Sequence, residues 1–184
     1  MSELGGNAPF IVFEDADIDQ AVHAAMTSKF RNAGQTCVCA DRFIIHEAIE
    51  EEFIKALSEK VSKFKMGPGL NDATTMGPLI ADTAVAIIGG KVKEAIADGA
   101  HLVLGGAPIP ELGPNFFQPT ILRNVSPSSR IWCTETFGPV VAIATFNHED
   151  EAIHLANDSP YGLASYFCST DMSRVFRVAE RYVY

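Results

Sequence analysis

Short apolar runs alternate with segments of helical period along almost the whole chain, and this rhythm limits the possible folds more than any other feature. Phe10-Ile11-Val12-Phe13, Arg42-Phe43-Ile44-Ile45, His101-Leu102-Val103-Leu104, Val140 to Phe146 and Leu163 to Phe167 read as strands, with an extended segment from Phe116 to Leu122 broken by Pro119. Such continuous apolar runs suit strands covered on both faces. Helices fill the intervals. Asp15 or Asp17 can cap one with the stripe Ile18, Val22, Ala25, Met26 and Phe30, and Asn32-Ala33-Gly34 ends it, with Gly34 suited to the left-handed position. From Glu47 to about Phe64, apolar residues recur at helical spacing with acids early and lysines late, an order that complements the helix dipole. Further helices are expected over Asp82 to Asp98, Asp150 to Ala156 and Asp171 to about Arg181, the last running on to Tyr184 without a stop signal. Gly89-Gly90 in the first of these costs roughly 2 kcal/mol relative to two alanines. Strands separated by helices imply an α/β fold: a mostly parallel open sheet with flanking helices.

Charge and composition exclude several functions. With 14 Lys+Arg against 23 Asp+Glu, the formal net charge is −9, and the basic residues are scattered. That is not the footprint of a nucleic-acid or anionic-membrane binder. No apolar run approaches the ~20 residues of a membrane helix, and the N-terminus has neither a basic region nor an apolar one to make a secretory signal. The expected location is cytoplasmic, with the mitochondrial matrix as the alternative. Four cysteines (Cys37, Cys39, Cys133 and Cys168) and five dispersed histidines form no disulfide framework and no zinc-ligand spacing, so no metal is expected.

The segment Phe30-Arg31-Asn32-Ala33-Gly34-Gln35-Thr36-Cys37-Val38-Cys39-Ala40 sets a cysteine in a loop between a helix and a strand, where scaffolds present reactive groups. A lone cysteine is more often small, buried and inert, and a nucleophilic one needs activation by its surroundings. The wider pattern points to chemistry. Glu3-Leu4-Gly5-Gly6-Asn7 stands at the start, the Gly-Gln-x-Cys segment about thirty residues on, and Glu135-Thr136-Phe137-Gly138-Pro139 about a hundred after that. In this order and spacing they resemble the aldehyde dehydrogenase superfamily. The similarity continues through Gly77-Pro78-Leu79, Asn115 to Thr120, and Asn157 to Ala164, covering essentially the whole chain. Phe30-Arg31-Asn32 and Cys37-Val38-Cys39 look most like the succinate-semialdehyde dehydrogenase branch.

The resemblance implies roles. Cys37 would be the nucleophile, its sulfur adding to an aldehyde carbonyl to give a hemithioacetal that passes hydride to NAD or NADP and leaves a thioester. Glu3 would be the base that activates water to hydrolyse it. Glu135 matches the carboxylate that accepts hydrogen bonds from the nicotinamide ribose, and Phe137 the ring beside the nicotinamide. The Cys37 N–H would be one oxyanion donor. Arg31, six residues before the nucleophile, could clamp the distal carboxylate of a semialdehyde; a solvated arginine at a helix end is the plainer reading. Cys39 is either a packed residue at the strand start or a redox partner of Cys37, although an extended i, i+2 pair lies near the upper limit for a disulfide.

Members of this superfamily are more than twice as long, with the dinucleotide-binding domain mainly before the Glu-Leu-Gly-Gly motif. Residues 1–184 therefore read as an incomplete catalytic (thiol) domain, without that domain or the family's C-terminal segment, expected to bind NAD weakly or not at all and to show little dehydrogenase turnover. The expected partner is a small aldehyde. Self-association into a homo-oligomer is also expected, because a missing domain would leave an apolar face exposed. Two rivals are a noncatalytic remnant acting as a subunit or interaction module, and an acyl-transferring relative that releases its thioester to coenzyme A. Glu3 argues against the second.

Overall fold

The computed structural model describes residues 5–183. Six strands, β1 (Ala8–Val12), β2 (Ala40–His46), β3 (His101–Leu104), β4 (Thr120–Arg123), β5 (Val140–Phe146) and β6 (Tyr166–Cys168), form one sheet in the order β3-β4-β5-β2-β1-β6. Every neighbouring pair is parallel except β3 and β4. The expected α/β class and open, mostly parallel sheet are therefore those observed. The apolar runs are the reason: β1 is buried at every position, and Phe43, Ile44, Ile45, Val141 and Ile143 are fully enclosed.

The helices are α1 (Ile18–Phe30), α2 (Glu50–Val61), α3 (Asp82–Ala97), α4 (Arg130–Cys133), α5 (Glu149–Asn157) and α6 (Met172–Arg181). Asp17 caps α1, its carboxylate accepting the Gln20 N–H at 3.0 Å. A short 3-10 turn, Glu47–Ile49, precedes α2, so the regular helix is shorter at both ends than its apolar period suggests. The glycine pair lies inside α3 and the helix continues through it. None of the helices is long and apolar enough to cross a membrane among the described residues.

Boundaries also differ from expectation at β4, which spans Thr120–Arg123 rather than Phe116 to Leu122, at β6 and at the final helix. β6 begins at Tyr166 rather than Leu163, because β1 offers it only Phe10, Ile11 and Val12 as partners. The final helix does not run on to Tyr184. It stops at Arg181, where the Asn157 amide donates to the Arg181 carbonyl at 2.9 Å and accepts the Val183 N–H at 3.2 Å. That stop comes from a residue distant in sequence.

Candidate active site

The site begins where α1 ends. Asn32 (φ 51°), Ala33 (φ 55°) and Gly34 (φ 78°) are three consecutive left-handed residues. The sequence predicts this only for Gly34, since a β-carbon makes the left-handed region cost roughly 1–2 kcal/mol. Hydrogen bonds hold the turn. The Gln35 N–H donates to the Asn32 carbonyl at 3.1 Å, Gln35 Nε2 donates to the same oxygen at 3.0 Å, and Asn32 Nδ2 donates to the Gln35 carbonyl at 3.1 Å. Gln35 Oε1 accepts the Ile80 N–H at 2.8 Å, and the neighbouring Leu79 N–H donates to the Asn115 carbonyl at 2.8 Å. Backbone strain sustained by surrounding contacts is typical of functional sites.

Cys37 follows on a tight turn, not an extended segment, closed by the Cys39 N–H donating to the Thr36 carbonyl at 3.0 Å. The Cys37 thiol is free and half-buried. Its own backbone is wedged: a β-carbon at Gly6 would lie 1.9 Å from the Cys37 carbonyl oxygen, so only glycine lets the two strands of backbone approach. From β6, the Tyr166 hydroxyl donates to the Val38 carbonyl at 2.7 Å. Among the described residues, the Cys37 N–H donates to no protein acceptor. Cys39 points inward, 3% exposed, with its sulfur 2.8 Å from Thr36 Oγ1 and 3.6 Å from the Lys29 carbonyl.

The third motif meets the other two. Glu135 Oε1 accepts the Gly6 N–H at 2.8 Å, and a β-carbon at Gly5 would lie 2.8 Å from Glu135 Oε2. A β-carbon at Gly34 would lie 2.1 Å from the Gly138 carbonyl oxygen. Glycine-mediated contacts thus interlock the segments around Gly5-Gly6, Gly34 to Cys37, and Glu135 to Gly138. Between them, Phe137 is turned outward at φ 49° and is 40% exposed, an unusual state for a large aromatic residue.

Buried charges hold this loop from beneath. Lys29, 0% exposed, pairs with Asp41 at 2.5 Å, and the other Asp41 oxygen accepts the Thr136 N–H at 3.0 Å. Lys91, on α3, donates to the Glu135 carbonyl at 2.6 Å and the Thr134 carbonyl at 3.2 Å. Burial, more than any other influence, lowers the Lys91 pKa from its ordinary value, while the Asp41 and Glu135 charges work the other way. Burial also pushes the Cys168 thiol up to about 11, which leaves it unreactive at neutral pH. The Tyr166 phenol is raised by burial first, and then by the neighbouring Cys39 and Cys37.

Of the residues singled out in the sequence, Cys37, Glu135 and Phe137 lie in this one cluster. Arg31 opens the left-handed turn, exposed and without a hydrogen bond or ion pair among the described residues. Glu3 lies outside the described residues. Sequence reasoning missed Lys29, Asp41, Lys91 and Tyr166, whose partners stand on other elements or loops, and no local pattern marks them.

The whole chain, residues 1–184, matches the model of the aldehyde dehydrogenase family. It is 50% identical over 178 residues to succinate-semialdehyde dehydrogenase [NADP(+)] 1 of Schizosaccharomyces pombe, covering 97% of this chain and 36% of that protein. It is 49% identical over 182 residues to a glutarate-semialdehyde dehydrogenase of Pseudomonas putida, covering 99% of this chain and 37% of that one. The crystal structure of succinate-semialdehyde dehydrogenase from Burkholderia pseudomallei superposes with a TM-score of 0.96 at 48% identity, covering 99% of this chain and 38% of that one. The chain thus spans little more than a third of the length of these relatives.

Proposed function

The chain belongs to the aldehyde dehydrogenase family, and from that premise we propose that residues 1–184 are the catalytic (thiol) domain of an NAD(P)-dependent enzyme that oxidises a carboxylate-bearing aldehyde, with succinic semialdehyde as the favoured substrate. One observation carries the reading most: Cys37, Glu135 and Phe137 share a cluster in which Gly6 touches the first two and Gly34 touches the segment of the third. The names of the relatives, succinate- and glutarate-semialdehyde dehydrogenases, support the substrate class.

In this reading the Cys37 sulfur adds to the aldehyde carbon, and its own N–H, unused among the described residues, steadies the oxygen as negative charge develops there. Phe137 and Glu135 suit a nicotinamide riboside: an exposed ring for the base, and beside it a carboxylate able to accept from ribose hydroxyls. When bound, that cofactor supplies the hydride acceptor needed to take the adduct to a thioester. Glu3 is assigned the water-activating role that releases the acid and frees the thiol, and the fastening of the adjacent Gly5-Gly6 backbone to Cys37 and Glu135 supports it. Arg31 is assigned the distal carboxylate, because it stands six residues before Cys37, is exposed and has no protein partner among the described residues. Cys39, bonded inward to Thr36 and Lys29, is assigned a packing role rather than a redox one.

Protection against alkylation tests both assignments. Iodoacetamide should label Cys37, as read by peptide mass mapping, and succinic semialdehyde should slow that labelling at about tenfold lower concentration than butanal, the scale expected of a charge-assisted hydrogen bond. In Arg31→Ala the two aldehydes should protect equally. Protection by neither aldehyde refutes the adduct at Cys37, and equal protection in the wild type refutes the clamp.

A further inference from the structure

Resting on the reading of Cys37 as nucleophile, we infer that Tyr166 is a positioning residue for it: the phenol hydroxyl anchors the Val38 carbonyl and so fixes the Cys37 N–H towards the oxygen of the bound carbonyl. Among the described residues, three contacts bear on the backbone of the turn that carries the thiol. Gly6 bears on the Cys37 carbonyl, the Cys39 N–H donates to Thr36, and the Tyr166 hydroxyl donates to Val38 at 2.7 Å. The first two are backbone contacts close to the turn itself. The third reaches in from β6, 128 residues away, and of these three it is the one that a side-chain oxygen supplies.

The ring itself is well seated. Tyr166 packs against Phe10 at a centroid separation of 6.0 Å, and Phe10 stacks on Phe43 at 5.0 Å, so the phenol stands on the apolar core of β1 and β2. The hydroxyl is thereby aimed by a rigid stack. Burial and the nearby thiols raise the phenol's pKa, so it remains a donor through the pH range in which a thiol ionises. Tyr166 touches no reacting atom and acts only through the Val38–Cys39 peptide, the second after the nucleophile, within the same turn.

Tyr166→Phe removes the oxygen and leaves the stack. Two reactions of Cys37 then separate positioning from general loosening. Acylation by p-nitrophenyl acetate builds negative charge on a carbonyl oxygen and draws on the oriented N–H, whereas alkylation by iodoacetamide does not. In the variant, the acylation rate should fall about fivefold, the weight of one hydrogen bond, while Cys37 alkylation stays within about twofold. Alkylation of the exposed Cys133 and the thermal midpoint report whether the fold is intact. Equal losses in both Cys37 reactions, or a loss in neither, overturn the positioning role and leave the nucleophile reading standing. A wild-type chain whose Cys37 reacts no faster than Cys133 overturns the nucleophile reading, and this inference with it.

Discussion

Replacing Gly34 by alanine should destabilise the chain, while the same change at Gly90 should stabilise it. At Gly34 the new β-carbon runs into the Gly138–Pro139 peptide: 2.1 Å from the Gly138 oxygen, 2.4 Å from its carbon and 2.9 Å from the Pro139 nitrogen. Ordinary contact begins near 3.4 Å, so the two segments must part by about 1.3 Å. Neither yields easily. The Pro139 carbonyl accepts the Thr120 N–H at 2.8 Å, Thr136 is tied to Asp41, and the other side is held by the Asn32–Gln35 bonds. A left-handed alanine costs about 1–2 kcal/mol and overpacking about 1–3, together about 2–5 kcal/mol against a typical domain stability of 5–15. At Gly90, inside α3, a β-carbon meets nothing within 4 Å, so helix propensity alone acts and gains about 1 kcal/mol. Urea unfolding followed by the fluorescence of Trp132, the sole tryptophan and 2% exposed, measures both. A Gly34→Ala midpoint at or above the wild type, or both variants shifting the same way, refutes the interlocked-backbone account.

Two further outcomes follow from the charges. Lys29→Met leaves Asp41 buried without its cation and should cost about 3–5 kcal/mol in urea unfolding; adding Asp41→Asn should recover part of this, since the neutral amide oxygen can still accept the Thr136 N–H, and no recovery would refute the explanation by stranded charge. Asp15 accepts from Ser169, from the Thr170 and Asp171 N–H groups and from the Thr170 hydroxyl, and it pairs with Arg174; burial opposes its ionisation, but these donors outweigh it and hold the carboxyl well below its ordinary value. The unfolded chain therefore takes up that proton first as the pH falls, so the stabilisation is complete above about pH 5 and drains through the ordinary carboxylate range towards the lower native value. Asp15→Asn should lower the urea midpoint at pH 7 and flatten its decline towards about pH 3.5, and a decline as steep as that of the wild type would refute the assignment.

What could be read from the sequence, and what could not, divides along the range of the interactions. The Val140 to Phe146 run declared itself because a strand covered on both faces needs an apolar residue at nearly every position, and β5 occupies those residues. The α1 cap was legible as Asp15 or Asp17, and Asp17 fills it, its carboxylate accepting from the Gln20 N–H three residues on. Arg42 was legible as a strand residue but not as a fully buried one, because its acceptors, the carbonyls of Asn7, Leu155 and Ala156, arrive from two other segments. Lys29 carried no local signal of its burial, because Asp41, which pairs with it, stands on β2. Gly34 announced its left-handed turn, whereas Ala33 did not, since a β-carbon opposes that conformation and the Asn32–Gln35 bonds, with the Gln35 link to Ile80, sustain it. Residues of the same kind crowd the candidate site. Around Phe137, at positive φ, Lys91 holds the Glu135 carbonyl, Asp41 accepts the Thr136 N–H, and Ile88 occupies the space a β-carbon at Gly138 would need. Local patterning built the sheet and helices that carry the site, but the strained turn and the outward aromatic exist only once segments about a hundred residues apart have closed on one another. Reactivity at Cys37 should therefore be lost at lower urea concentration than the Trp132 fluorescence transition, because it depends on all of those closures at once and the core fluorescence on fewer. Coincident transitions for thiol and tryptophan would show instead that the site and the sheet beneath it form a single cooperative unit.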